Sequence, residues 1–336
     1  MSLVAHPAGL EWCDLDSDSR LDLVISDLGS FQPEDSKLGQ VVWLRQRATG
    51  GFDESVIADG MGRVSEARAA DFNGDGLLDL VVAEFGWLET GNILLFLQRM
   101  DVNGNRTFDK SIVDERHGTI RVPPVDLNQD GSVDFVANIS QEHEAVEVFL
   151  NSGDARFQNQ RLCSPKDPAF GSSGMQAVDL DQDGDIDFLV ANGDMFDSFS
   201  IKPFHGLRWL ENQGMLRFKE HEILAFPGVH GIATGDLDGD GDLDIVVTAL
   251  FPYRLFTDQE ESKRDVVSAV WLEQIPLGRF LPHLIEQGTP WHACVILADI
   301  DFDHDLDIIM GDFSPTPAEP RSPLVIYENE AKASQP

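Results

Sequence analysis

One nine-residue form, Asp-x-Asp/Asn-x-Asp-x-x-x-Asp, occurs six times in this chain, and no other feature restricts its fold so tightly. The most regular copy, Asp236-Leu237-Asp238-Gly239-Asp240-Gly241-Asp242-Leu243-Asp244, runs directly into Ile245-Val246-Val247-Thr248. Carboxylates at alternate positions repel one another unless a cation lies among them. Hard oxygen donors on a short loop suit Ca2+. Gly at the sixth place allows the positive φ that turns the donors inward. The twelfth places are Ile25, Val82, Ala137, Val190, Val247 and Met310. An EF-hand needs Glu there and a helix beyond it. A β-branched run follows instead, so each copy reads as a cation loop between two strands.

The expected donors stand at the first, third, fifth and ninth places. They are Asp14, Asp16, Asp18 and Asp22 in loop 14–22; Asp71, Asn73, Asp75 and Asp79 in loop 71–79; and Asp126, Asn128, Asp130 and Asp134 in loop 126–134. They continue as Asp179, Asp181, Asp183 and Asp187 in loop 179–187; Asp236, Asp238, Asp240 and Asp244 in loop 236–244; and Asp299, Asp301, Asp303 and Asp307 in loop 299–307. Ser19 and His304 replace Gly at the sixth place. Those two sites are expected to be weaker, the first more so, because His tolerates positive φ better than most residues. The competing reading is Asp-rich turns that only cap hairpins. One donor register kept through six copies speaks against it.

The loops begin 57, 55, 53, 57 and 63 residues apart, a spacing that calls for a repeat architecture. Each unit holds four short β runs and almost nothing helical. The second unit, for example, has Ser65–Ala70, Leu78–Ala83, Asn92–Gln98 and Lys110–Asp114. Four strands repeated six times predict an all-β, six-bladed β-propeller, a single domain over residues 1–336. A seventh blade would need roughly 50 further residues. The last unit ends after its third run, Leu324–Glu328. Ser2–Ala5 reads like the fourth strands Ser55–Ala58 and Ser111–Asp114, so the N-terminal segment is expected to complete the last blade and close the ring. An aromatic recurs in the third strands at what reads as one register: Trp43, Phe96, Phe149, Trp209, Trp271 and Tyr327. These are expected to pack blade against blade rather than to form a sugar-stacking platform.

At 42% hydrophobic the chain can build a full core, and its formal charge is −35. Six bound Ca2+ would offset only roughly a third of that charge. The remainder argues against nucleic acid and against anionic membrane surfaces as partners. No run of about 18 apolar residues predicts a membrane-spanning helix. Cys13, Cys163 and Cys294 are too few and too scattered for a disulfide framework, and Cys13 and Cys294 read as small core residues.

With its six D-[LFI]-[DN]-x-D-x-x-[LIV]-D-[LFI] loops, Asp14–Leu23 through Asp299–Ile308, and glycine-led turns such as Gly51-Phe52, the chain resembles the FG-GAP/VCBS repeat family. These are propellers related to the integrin α-subunit head. The resemblance implies up to six Ca2+, each in the loop joining the first and second strands of a blade. It also implies an extracytoplasmic setting (secreted, periplasmic or cell surface), where Ca2+ is abundant. It does not imply one activity, because members include adhesion heads, sugar-binding propellers and accessory domains of enzymes.

The long connections join second to third strands, at the blade ends opposite the acidic loops: Asp27–Gly39, Glu84–Gly91, Gly193–Gly206, Phe251–Asp265 and Asp312–Pro323. Loops of this kind on a rigid scaffold are where binding residues collect. Polar groups gather at the same ends, and the candidate ligand-binding residues are Glu84, Asp194, His230, Trp291, His292 and Asp312 there, with Arg68 and Arg121 within inner strands and expected to face the central channel. Glu142, His143 and Glu144 stand nearby, Arg63 and His117 lie at inner-strand entries, and acid/base pairs or a second metal site could be assembled from this cluster as a whole. The bland alternative is a solvated rim with isolated histidines. No nucleophile elbow, Walker loop, dinucleotide fingerprint or H-E-x-x-H occurs.

The expectation is therefore a calcium-binding, non-catalytic module of an exported protein that takes a glycan or protein ligand. One alternative is a calcium-dependent polysaccharide lyase or hydrolase using His230, His292, Arg68 and Arg121. The other is a scaffold for further domains of a longer parent chain.

Overall fold

The computed structural model describes residues 4–165, 167–196, 198–252, 255, 265–276, 278–313 and 323–330. The fold is all-β and consists of six β-propeller blades. The chain divides into two compact units, Met1–Ala169 and Phe170–Pro336, and each holds three blades.

In the first unit, blade 1 is β1 (Pro7–Cys13), β2 (Asp22–Asp27), β3 (Gly39–Gln46) and β4 (Phe52–Met61). Blade 2 is β5 (Val64–Ala70), β6 (Asp79–Glu84), β7 (Asn92–Met100) and β8 (Arg106–Asp114). Blade 3 has its inner strand in two pieces, β9 (Thr119–Arg121) and β10 (Pro124–Val125), both paired with β11 (Asp134–Ile139), followed by β12 (Ala145–Asn151) and β13 (Phe157–Cys163). The break falls at Pro123-Pro124, because proline has no N–H to give the ladder.

In the second unit, blade 4 is β14 (Ser172–Val178), β15 (Asp187–Asn192), β16 (Gly206–Asn212) and β17 (Phe218–Ala225). Blade 5 is β18 (Val229–Gly235), β19 (Asp244–Ala249), β20 (Val267–Ile275) and β21 (Arg279–Gln287). Blade 6 contributes β22 (His292–Ala298), β23 (Asp307–Asp312) and β24 (Leu324–Tyr327). All strand pairings are antiparallel and, apart from β9 with β11, join chain neighbours, as in β14-β15-β16-β17. Among the described residues β24 pairs only with β23. The segment expected to complete this blade lies largely outside the described residues. Of it, Ala5 donates its N–H to Asp27 Oδ2 (2.9 Å).

The second strands are continuous apolar runs, and β6, β11, β15 and β19 are buried at every residue. A strand covered on both faces has no need to alternate. The fourth strands are polar edges; β13, Phe-Gln-Asn-Gln-Arg-Leu-Cys, is exposed through its middle, and such charge and polarity block unwanted edge pairing. The core forms slabs between neighbouring blades. One joins Val24 and Val41 to Leu80, Val82 and Leu94; the next joins Val81, Ala83, Ile93 and Leu95 to Phe135, Ala137 and Ile139. Blades 4, 5 and 6 are joined in the same way.

The third-strand aromatics do pack blade against blade, but they occupy two registers rather than one. Phe96, Phe149 and Tyr327 stand opposite the residue just after the ninth loop aspartate, Leu80, Phe135 and Ile308. Trp43, Trp209 and Trp271 stand opposite the residue after that, Val24, Leu189 and Val246. A shift of one residue sends a side chain to the other face of the sheet. The phenylalanines and the tyrosine therefore fill the slab shared with the preceding blade, and the tryptophans the slab shared with the following one. Cys13 is buried as expected, whereas Cys294 is exposed.

A bulge opens the inner strand of every blade, at Pro7/Gly9, Val64/Glu66, Thr119/Arg121, Ser172/Gly174, Val229/Gly231 and His292/Cys294. The extra residue is re-aimed out of the ladder. In blades 2 and 4 it is a serine, and its hydroxyl donates to the next blade: Ser65 to Thr119 O (2.9 Å) and Ser173 to Val229 O (2.7 Å).

Blade 3 also buries a charge. Glu147, only 2% exposed, accepts from Arg116 Nη2 (2.6 Å), Arg161 Nη2 (2.9 Å) and Asn159 Nδ2 (2.9 Å). The hydrogen bonds from Arg116 outweigh burial and hold its carboxyl down to about 2. A depressed carboxylate pKa stabilises the fold above the unfolded value, near 4.5, and the contribution fades as pH falls towards 2. Glu147→Gln is expected to cost on the order of 3 kcal/mol at pH 7. The gap between variant and wild type should close on acidification, as read by denaturant melts at a series of pH values.

Candidate metal centres

Each acidic loop is built on one hydrogen-bond plan, seen clearly in blade 4. Asp179 Oδ1 accepts from Asp183 N (3.0 Å), Asp179 Oδ2 from Gly184 N (3.0 Å), and Asp183 Oδ1 from Asp185 N (2.9 Å). The first- and fifth-place carboxylates thus organise the turn before any ion is considered. The plan requires positive φ at two places. The sixth place has 67° at Ser19, 81° at His304 and 84–101° at the four glycines. Ser19 and His304 therefore adopt the glycine conformation, and their N–H groups still reach Asp14 Oδ2 (2.8 Å) and Asp299 Oδ2 (3.1 Å). The fourth place is also left-handed, at Ser17, Gly74, Gln129, Gln182, Gly239 and Phe302. Sequence reasoning missed this requirement, because residues of mixed type meet it.

The folded loops bring donor oxygens together. One oxygen each from Asp14, Asp16 and Asp18 lies within 4.8 Å of the others, and the same holds for Asp179, Asp181 and Asp183, for Asp236, Asp238 and Asp240, and for Asp299, Asp301 and Asp303. These groups could hold metal ions. Blades 2 and 3 carry Asn73 and Asn128 at the third place. The donor set fits a hard cation, and so do the orphaned atoms: Asp16 Oδ1, Asp242 Oδ1 and Asp305 Oδ1 are buried without a hydrogen-bond partner. Burial and the Asp240 carboxylate push Asp242 up to about 6, and burial with Asp303 does the same for Asp305. The loop of blade 1 differs. Arg45 Nε lies 2.7 Å from Asp16 Oδ2, and Arg20 pairs with Asp18. Two guanidinium groups there already neutralise charge, whereas the loop of blade 2 has one more distant guanidinium, Arg99 Nη1 at 3.7 Å from Asp75 Oδ2.

The ninth-place aspartates also have a task within the fold. Asp22, Asp79, Asp134, Asp187, Asp244 and Asp307 are at most 1% exposed, and each begins a second strand. Asp187 accepts Leu180 N (3.2 Å) from the loop and Asn212 N (2.7 Å) from the end of β16. Asp79, Asp134, Asp244 and Asp307 repeat both contacts. In blade 1 the Trp43 indole donates to Asp22 Oδ2 (2.9 Å), and Gln46 N to Asp22 Oδ1 (2.8 Å). Burial pushes Asp79 and Asp187 up to about 6 despite these donors. The residue whose N–H meets Oδ1 is always Gln or Asn, and its amide carries the link across to the preceding blade. Gln98, Asn151, Gln274 and Asn329 donate to the carbonyls of Leu15, Phe72, Leu180 and Leu237, the second residues of the loops before them. This amide was legible as a recurrent Gln/Asn closing each third strand, but its role was not.

The candidate ligand residues of the inner strands and of the opposite blade ends are drawn into local pairs. In the first unit Arg68 bonds Glu11 (2.6 Å) and Glu66 (2.8 Å), and Arg121 Nη1 lies 3.5 Å from the same Glu66. Glu84 accepts Gly62 N (2.6 Å) and Asn92 Nδ2 (2.6 Å). In the second unit His292, fully buried, places Nδ1 2.6 Å from Asp312 Oδ1 and Nε2 3.3 Å from Glu286 Oε2. Trp291 is 4% exposed, Asp194 Oδ1 accepts Phe196 N (2.9 Å), and His230 is the extra residue in the β18 bulge. The connections Phe251–Asp265 and Asp312–Pro323 fall mostly outside the described residues.

Residues 14–82, 126–190 and 192–247, more than half of the chain, match the family described as FG-GAP-like repeat. No curated protein gives a match.

The two kinds of aspartate should separate on mutation. Asp187→Ala removes the acceptor of two main-chain N–H groups and is expected to cost on the order of 3 kcal/mol with or without metal. Asp183→Ala is expected to cost under about 1 kcal/mol without metal, and to remove the stabilisation that metal confers on that loop. Chemical denaturation of both variants with chelator and with divalent cation makes the comparison.

Proposed function

The chain belongs to the FG-GAP-like repeat family, and from that premise we propose that it is a calcium-stabilised, non-catalytic binding module of an exported protein. Its ligand is a glycan or a protein surface, taken at the blade ends opposite the acidic loops. The observation that carries the calcium reading is the convergence of first-, third- and fifth-place carboxylates within 4.8 Å in four loops, all of them oxygen donors on short turns. Mg2+ demands tighter octahedral geometry and gives up its water reluctantly, so Ca2+ is the preferred ion. A setting outside the cytoplasm supplies Ca2+ at the concentration such loops require.

The ligand assignment rests on chemistry of placement. The acidic ends of the blades are occupied by cation loops, and the longer connections lie at the other ends. Polar groups there are held in fixed positions, as His292 is by Asp312 and Glu286 and Arg63 by the carbonyl of Gly86. That is an arrangement for recognition by preformed polar groups rather than for proton transfer.

Metal-stripped protein is expected to gain several degrees in Tm with millimolar Ca2+ and markedly less with Mg2+, since an ion bound only by the native state stabilises by mass action. A Tm indifferent to Ca2+ would overturn the calcium reading. Glycan and protein arrays probed with the calcium-loaded chain test the ligand class, and uniform silence there would remove it.

A further inference from the structure

The β11–β12 connection of blade 3 gathers chemistry that the acidic loops do not use. Its residues 140–144 meet His117, which stands just before β9. His117 Nε2 lies 3.0 Å from Glu142 Oε1, and the His117 and His143 rings are 5.1 Å apart between centres. One donor atom from each of His117, Glu142 and His143 lies within 4.8 Å of the other two. The backbone is bent to make this meeting. Gln141 and Glu144 take positive φ of 58° and 33°, conformations that persist only where the surroundings fix them. Ser140 N donates to Gly118 O (2.7 Å), and Gly118 N to Phe85 O (2.8 Å), which pins one segment to the other. Gly91 makes room, because a Cβ there would stand 2.5 Å from His117 Cβ.

The hydrogen bonds also set the state of the imidazole. His117 Nδ1 contacts Gln141 Oε1. With the Gln141 carbonyl oxygen facing Nδ1, the proton sits on Nδ1 and Nε2 is the ring nitrogen that faces Glu142. This second-ring-nitrogen arrangement is the one that orients metal-ligating histidines. A lone pair and a carboxylate oxygen 3.0 Å apart repel unless a proton or a cation lies between them. Arg116 does not supply that charge, since it is bound to Asp114 and Glu147.

We propose that His117, Glu142 and His143 form a binding site for a first-row transition-metal dication such as Zn2+, separate in place and in chemistry from the acidic loops. Two imidazoles and one carboxylate are a borderline donor set that suits Zn2+, Co2+, Ni2+ and Cu2+ and does not suit Ca2+. Three protein donors leave a coordination position open. The Glu142 side chain is 56% exposed, so the open position is accessible to an oxygen or nitrogen donor from solvent or from a bound ligand.

The test uses the full chain saturated with Ca2+, titrated with Zn2+ by calorimetry and with Co2+ by visible absorption. One equivalent of each is expected, with Co2+ giving d–d bands of nitrogen and oxygen coordination. His117→Ala and His143→Ala should each weaken Zn2+ at least about 100-fold, and Gln141→Ala about tenfold. His221→Ala should change nothing. Thermal melts in Ca2+ verify that the variants fold, and imidazole NMR gives a second reading on the unaltered chain. His117 and His143 resonances that shift with Zn2+ support the site. Three results overturn it: no uptake by the wild type, uptake that survives the double His117→Ala/His143→Ala change, or resonances that respond to pH but not to Zn2+, the mark of a plain His–Glu ion pair.

Discussion

A buried carboxylate at the start of each second strand ties this structure together. It sits where water cannot reach it, and it offers its oxygens to the acidic loop on one side and to the end of the third strand on the other. An isolated carboxylate in that position would be costly. Here the donors are main-chain N–H groups that would themselves be orphaned without it. The bond therefore fixes the loop against the sheet in the same way in five blades, and with a tryptophan indole in place of the loop N–H in the first. The acidic turn is thereby shaped from beneath, and the exposed carboxylates above it converge.

From that point the order spreads between blades. The Gln or Asn next to the carboxylate reaches back to the preceding loop, and the apolar second residue of that loop is buried, as Leu15, Phe72 and Leu180 are. A cation bound in one loop would thus stiffen a turn already stapled to the following blade. Non-directional burial in the slabs supplies most of the stabilisation, while these amide staples set the relative level of neighbouring sheets. Charge in the loops opposes folding until it is neutralised, and blade 1 shows a second solution, with Arg20 and Arg45 drawn onto Asp18 and Asp16.

The inner strands and the opposite blade ends follow a different logic. Residues that a sequence reading offers as free ligand groups are engaged by neighbours: Arg68 with Glu11 and Glu66, Glu84 with Gly62 and Asn92, His292 with Asp312. Arg208 in β16 is engaged as well, its guanidinium 4.6 Å from the centre of the Phe170 ring and 2.9 Å from Glu220. His117, Glu142 and His143 differ because the neighbours that hold them leave their donor atoms facing one another.

The sequence by itself determined the number of blades, the start of every second strand and the place of every acidic loop. These depend on short-range spacing: a carboxylate pattern nine residues long, a φ > 0 turn, an apolar run just after it. Tertiary structure alone decided the rest. It chose which face of a blade each aromatic fills, because the pairing register of strands some 20 residues apart sets that, and a one-residue shift reverses it. It gave the ninth aspartate its two main-chain donors, one of them from a strand distant in the chain. It also brought His117 to residues 142 and 143, through a glycine at position 91 and a bend after β11 that no local pattern announces. Contacts between segments far apart in sequence are fixed by packing and register, and neither is written in the spacing of any single stretch.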